Sequence, residues 1–199
     1  MPRRRTLIPA PLEWQKTARP VAPPLRPVIA ERGGTQIKTP KPVLVVDTRE
    51  KFPFAFGRFR GWFAGIEHHA LALGDYTVKG MEQLCVVERK DLGDLVNSLS
   101  SERRVFLNRL RRMQEVPHRL LVITSPLSEV KSRYAYSGVS PNQVTQSLIA
   151  MLVGLHVPFL CTETHELGAE IVASYLYQVH LYRWLEANGY GSYLADDDL

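Results

Sequence analysis

The run Leu84-Cys85-Val86-Val87 leads without a polar side chain into Glu88-Arg89-Lys90. Such a short, uninterrupted apolar run is the pattern of a strand buried within a covered sheet. Successive side chains on a strand point to opposite faces, so Glu88 and Lys90 share one face and Arg89 points to the other. Gly74-Asp75 lies upstream. Asp75 is expected to end a strand-like run from Glu67 to Leu73 and to meet Glu88 across a hairpin. An Asp, Glu and Lys clustered at the end of an apolar strand is expensive unless a cation or a substrate uses it.

Other elements follow from the same reasoning. Val43-Leu44-Val45-Val46 reads as a short buried strand ending in Asp47-Thr48-Arg49-Glu50. Residues 51–65, rich in Phe, Gly and Arg, predict a loop or a short irregular helix. Strands near 67–73 and 84–89 are expected to join through a turn at Lys79-Gly80. Asp91 predicts the cap of a short helix through Leu99, and Ser100 or Ser101 the start of an arginine-rich helix to Val116, stopped by Pro117. Leu120 to Thr124 is the next strand. Ser140-Pro141-Asn142-Gln143 is a capping box with proline at the first helical position, opening a helix to about Leu155. A strand from Val157 to Cys161 and a long helix from His165 to Ala187, closed by Asn188-Gly189, complete the series. Strands alternating with helices predict an α/β fold, a mixed central sheet flanked by helices on both faces.

Composition divides the chain. Residues 1–42 hold 9 of the 14 prolines and 9 basic against 2 acidic residues, which predicts an extended, disordered basic arm. The globular part, 43–189, is not basic overall: the chain after residue 42 has 16 basic and 18 acidic residues. The net charge of +5 therefore says little by itself, and local clusters say more. Residues 190–199 form an acidic tail. Two cysteines, Cys85 and Cys161, are too few for a disulfide framework or a cysteine-based zinc site. Buried reduced thiols are expected, in an intracellular setting (cytoplasm or nucleoid in a prokaryote or phage, nucleus in a eukaryote). No apolar run approaches the ~18 residues of a membrane span, and the arginine-bearing N-terminus lacks the apolar core of a secretory signal.

The chemistry these charges suit is phosphodiester hydrolysis, which needs a hard cation, an activated water and positioning. Asp75 and Glu88 are the oxygen ligands Mg²⁺ or Mn²⁺ prefers, with Asp47 as a third carboxylate. Lys90, on the face of Glu88, is placed to orient or deprotonate the attacking water. Taken in order, Val46-Asp47-Thr48-Arg49-Glu50, Gly74-Asp75, and Glu88-Arg89-Lys90 with Asp94 resemble the nuclease motifs of the XPF family of structure-specific DNA endonucleases. The resemblance spans roughly residues 43–187 and implies a restriction-endonuclease-like fold. It implies that Asp47, Asp75 and Glu88 are metal-site acids and Lys90 the catalytic lysine. Arg49, Arg89 and Asp94 match further motif positions; Asp94 is open equally to starting a helix or partnering Arg89, while Glu50 either assists the metal or pairs with a base. Water attack in line at phosphorus, leaving a 5′-phosphate and a 3′-hydroxyl, is implied as well.

Members of that family usually carry a C-terminal tandem helix-hairpin-helix domain, and some carry a helicase. This sequence is expected to be a stand-alone nuclease module, with any targeting to branched or flapped DNA supplied by a separate partner. Arg103, Arg104 and Arg111 fall on one helical face and are candidate DNA contacts. His68 and His69 alternate faces of a strand and read as structural. The apolar circumference of the last helix, with the family's dimers, predicts a homodimer through the last two helices. The competing readings are a catalytically silent DNA-binding or scaffold subunit, and a restriction-like or junction-resolving nuclease.

Overall fold

The computed structural model describes residues 20–23, 28–30, 36–135 and 137–191. Its centre is a six-stranded mixed sheet in the order β4-β3-β5-β6-β7-β8. The strands are β3 (Val43–Asp47), β4 (Gly65–His69), β5 (Tyr76–Val78), β6 (Cys85–Lys90), β7 (His118–Ile123) and β8 (Phe159–Cys161). β3 is parallel to β4 and antiparallel to β5, which is antiparallel to β6. β6, β7 and β8 are mutually parallel. Five strands thus share one direction and β5 alone opposes them. The C-terminal ends of β3 and β6 and the N-terminal end of β5 consequently lie at the same edge of the sheet.

Alternation along the strands divides the core into two layers. Leu44, Val46, Tyr76, Val78, Cys85, Val87, Leu120 and Val122 pack against a 3₁₀ helix, Phe56–Trp62, and against α5 (His165–Ala187). Val86, Leu121 and Ile123 face the opposite layer, made by α1 (Leu92–Ser98), α2 (Arg103–Gln114), α3 (Leu127–Val130) and α4 (Pro141–Leu155). The expected sheet with helices on both faces is what forms. The capping box of α4 is complete: Ser140 Oγ accepts from the Gln143 amide, and Gln143 Oε1 accepts from that of Ser140. Thr164 Oγ1 caps α5, and Gly189 follows it at φ +78°. Cys85 is buried and Cys161 half-buried, both as free thiols.

Three expectations need correction. The strand assigned to 67–73 is shorter and earlier, Gly65–His69, and lies parallel to β3 at the sheet's edge. Asp75 therefore does not end it; it precedes β5, a three-residue strand the apolar pattern does not reveal. The turn at Lys79-Gly80 does join two strands, β5 and β6, with Gly80 at φ +77°. The arginine-rich helix starts at Arg103 after Glu102, which makes no side-chain cap, because Ser100 and Ser101 turn their hydroxyls back onto residues 96 and 97. The basic arm is not wholly irregular: β1 (Val28–Ala30) and β2 (Gln36–Lys38) pair antiparallel. Val21 also exchanges hydrogen bonds with the 3₁₀ helix, its amide donating to Arg58 O and its carbonyl accepting from Trp62 Nε1. Residues 1–19, 24–27 and 31–35 of the arm, and residues 192–199 of the acidic tail, lie outside the described residues.

Candidate active site

The three motifs meet because of strand direction. The Asp47 amide donates to Asp75 O at 2.8 Å, and the Asp75 amide to Val87 O at 2.8 Å. Gly74 allows the second approach. It sits at φ +72°, and a Cβ there would fall 2.1 Å from Val86 Cγ2 and 2.9 Å from Val87 O. A glycine before the aspartate is therefore the condition for bringing Asp75 against β6. Once there, Asp75 Oδ2 accepts the Arg89 amide at 2.7 Å. Asp75 and Glu88 are both buried.

Alternation on β6 sends Glu88 and Lys90 toward α2 and Arg89 the other way. Arg89 forms a buried pair with Glu50, Nη2 to Oε1 at 2.9 Å and Nε to Oε2 at 3.3 Å. Of the two roles open to Glu50, pairing with a base is the one present. With its side chain clamped, Arg89 also presents a fixed amide to Asp75. Asp94 lies exposed in the first turn of α1, its amide donating to the capping carboxylate of Asp91, so it is not a partner of Arg89.

Glu88 is completely buried, at 0% exposure. Its Oε1 accepts from Arg109 Nη1 at 2.7 Å and lies 3.6 Å from Lys90 Nζ, which itself sits 5.5 Å above the Phe106 ring. Its Oε2 is buried without a hydrogen-bond donor among the described residues. Burial, and then the nearby charge of Asp75, push the Glu88 carboxyl up to about 7 against the pull of Arg109 and Lys90. Burial likewise raises Asp75, and the charge of Glu50 adds to it, although the Arg89 amide opposes both. Two buried acids held in this way, one with a bare oxygen, form an environment that favours an added positive charge.

Asp47 behaves differently. Burial would raise it, but Arg49 outweighs that and holds it below the usual carboxylate range. Arg49 donates its amide at 2.8 Å and Nε at 3.0 Å to Oδ1, and Nη2 at 2.6 Å to Oδ2, then reaches Leu71 O. Both oxygens of Asp47 are thus engaged. Among the described residues no three acids, histidines or cysteines converge as a preformed metal cluster. The expected third carboxylate is tied to an arginine instead of standing open beside Asp75 and Glu88. The residues still fit a divalent cation held by two carboxylates. Mg²⁺ is commonly bound through one or two carboxylates together with waters and substrate phosphates, and Glu88 Oε2 is a buried carboxyl oxygen without a hydrogen-bond partner among the described residues.

Arg103, Arg104 and Arg111 are exposed along α2. Arg103 donates to Ser147 Oγ of α4, and Arg111 to Asn108 Oδ1. Neither bond reaches the acids. His68 and His69 are exposed on β4; His69 pairs with Glu67, which also holds Lys79, and its carbonyl accepts the Thr48 amide. Arg109 is the side chain sequence reasoning passed over. The available signal was its place beside the buried stripe Phe106, Leu110 and Met113 on an otherwise solvated basic helix.

An ERCC4 domain model matches residues 46–175. The chain belongs to the ERCC4 domain family. No curated protein matches it. Among solved structures it is similar to XPF from Aeropyrum pernix, with 18% identity over 77% of this chain and 72% of that one, at a TM-score of 0.56. It is also similar to XPF from Aeropyrum pernix in complex with DNA, with 20% identity and a TM-score of 0.54, over 69% of this chain and 64% of that one. At these identities the likeness is one of fold. The matched span of this ERCC4-domain chain includes Asp47, Asp75, Glu88 and Lys90 but not the arm. No helix among the described residues is long and apolar enough to cross a membrane.

Proposed function

We propose that the chain is a metal-dependent DNA endonuclease that hydrolyses phosphodiesters at the edge of the sheet where Asp75, Glu88 and Lys90 meet. The observation that carries the reading is Glu88: a fully buried carboxylate with one oxygen unpartnered among the described residues, beside a second buried acid and under a lysine. Family membership supports the chemistry, and the fold shared with a protein solved in complex with DNA supports a role on DNA. Asp75 and Glu88 would hold Mg²⁺ or Mn²⁺. Such a cation supplies charge neutralisation at the phosphate and acidifies water.

The protein's own groups do the rest. Arg89, fixed by Glu50, holds Asp75 through its amide. Lys90 orients the attacking water, and the rim of Phe106 limits its freedom. Asp47 and Arg49 stabilise the adjoining strand end, and Asp47 would become a further ligand only on release from Arg49. Water attacks phosphorus in line, the new P–O bond forms as the bond to the 3′ oxygen breaks, and a 5′-phosphate remains. Arg103, Arg104 and Arg111 would contact the DNA backbone. Residues 43–189 would constitute the nuclease domain, with the arm and tail as appendages. Branched or flapped DNA is the proposed substrate, acted on inside the cell.

A silent scaffold is the second reading, favoured by one observation: Glu88 Oε1 and both oxygens of Asp47 are already engaged by basic side chains. Labelled flap, fork, junction, single-stranded and duplex DNAs incubated with Mg²⁺ separate the two. Cleavage of a branched DNA, abolished in Asp75→Asn, is the expected result. Binding without cleavage of any DNA points to the scaffold, and equal cutting of linear duplex removes the structure-specific element.

A further inference from the structure

Glu88 is met by two cations that are held very differently. Lys90 belongs to the same strand and rests over the Phe106 ring. Arg109 comes from α2, twenty-one residues along the chain. It follows Phe106 and precedes Met113 by one turn each, so its side chain leaves the helix at the rim of the helix–sheet interface. The Arg109 side chain is 36% exposed, against 0% for that of Glu88. Arg109 therefore has a route to solvent that Lys90, at 17%, largely lacks. The asymmetry extends to the carboxylate: Oε1 is shared by both bases, while Oε2 has no donor among the described residues.

We propose that Arg109 is the resident counter-cation of the metal site. It neutralises Glu88 while no metal is bound, competes with the divalent cation for the negative charge of the Glu88 carboxylate, and so sets the metal concentration at which the site loads. This rests on Asp75 and Glu88 being the metal acids. A buried carboxylate without a compensating charge is costly, which gives the metal-free protein a reason to keep a guanidinium at 2.7 Å. A divalent cation beside the same carboxylate reverses the balance. Two bases and the ion would then crowd one group, and like charges in a poorly solvated pocket repel strongly. Arg109 is the base whose long, partly exposed side chain can yield. A purely structural ion pair tying α2 to the sheet makes the opposite prediction: its loss loosens Glu88 and leaves metal affinity unchanged or weaker.

Titration of the full-length protein with Mn²⁺ alone, reading free ion by electron paramagnetic resonance, distinguishes the two without DNA or turnover. Arg109→Ala and Arg109→Gln should tighten the Mn²⁺ dissociation constant on the order of tenfold, the scale of effects from groups that touch metal ligands. Arg183→Ala, which removes a charge from the distant α5, should match the wild type, and Arg109→Lys should return toward it. Melting without metal should occur at a lower temperature in Arg109→Ala, with a larger gain on saturation. Where Arg109→Ala does not fold, Arg109→Gln carries the same test, because its amide still offers Oε1 a donor without the charge. Unchanged or weaker Mn²⁺ binding in the variants, with binding intact in the wild type, overturns the role of Arg109. No Mn²⁺ binding by the wild type overturns the metal reading itself, and this inference with it.

Discussion

Glu88 is the residue on which burial, charge and chemistry press hardest. Its carboxyl is pushed from an ordinary 4.5 to about 7, by burial first and the charge of Asp75 second. The unfolded chain releases that proton near 4.5, whereas the folded chain keeps it until about 7. The folded state therefore binds more protons across this window, and the metal-free protein loses stability as pH rises through it. Asp75 is shifted in the same direction, by burial first, and its contribution has the same sign. Urea unfolding at about pH 5 and about pH 7 should show the decline, and Glu88→Gln should flatten it. A rising stability over that interval, or a slope unchanged in Glu88→Gln, would contradict the electrostatics described. The pairing that moderates this tension, Glu88 with Arg109, was illegible in sequence because it depends on how α2 sits on the sheet. No local pattern encodes that docking beyond an arginine flanking an apolar stripe.

Elements were legible in proportion to their length and periodicity. β3, β6 and β7 carry apolar runs that only a covered strand explains, and α4 announces itself through Ser140, Pro141 and Gln143. β5 is hidden because Tyr76-Thr77-Val78 is only three residues long, and the apolar run that draws the strand assignment, Ala70 to Leu73, lies before Gly74-Asp75. Without β5 in the pattern, Asp75 reads as the end of the upstream run rather than the start of a strand. The correct position rests on Gly74, whose positive φ turns the chain so that Asp75 can hydrogen-bond with β6 on both its amide and its carboxylate. Gly74→Ala should therefore cost more than the ~1–2 kcal/mol of a left-handed non-glycine residue, because the added Cβ also meets Val86. A melting temperature within error of the wild type would show that this turn is not what seats Asp75. The β1–β2 pair was hidden for a different reason. Its two short strands are embedded in a proline-rich segment whose overall composition argues for an irregular chain.

For the whole molecule, the fold brings five parallel strands and one opposing strand to a common edge, and three separate motifs to one site. The same topology leaves β8 at the far edge of the sheet. There Leu160 is exposed, and on α4 so are Ile149, Leu152 and Val153, the last at 68%. We propose that the homodimer expected through the last two helices uses α4 and β8 rather than α5, most of whose apolar residues are committed to the core. Light scattering at micromolar concentration should give twice the chain mass, and Val153→Asp should return a monomer. A monomeric wild type would remove the interface. The central claim is the pairing of Asp75 with Glu88 and its bare oxygen as the seat of catalysis. It is tested most directly by Mg²⁺-dependent cleavage of a labelled flap DNA by wild type and Glu88→Gln, with DNA affinity measured in parallel. The substitution keeps the shape of Glu88 and removes its charge, so cleavage should fall at least ~10³-fold with affinity nearly unchanged, as for loss of a principal electrostatic group. Cleavage by Glu88→Gln at close to the wild-type rate would contradict it.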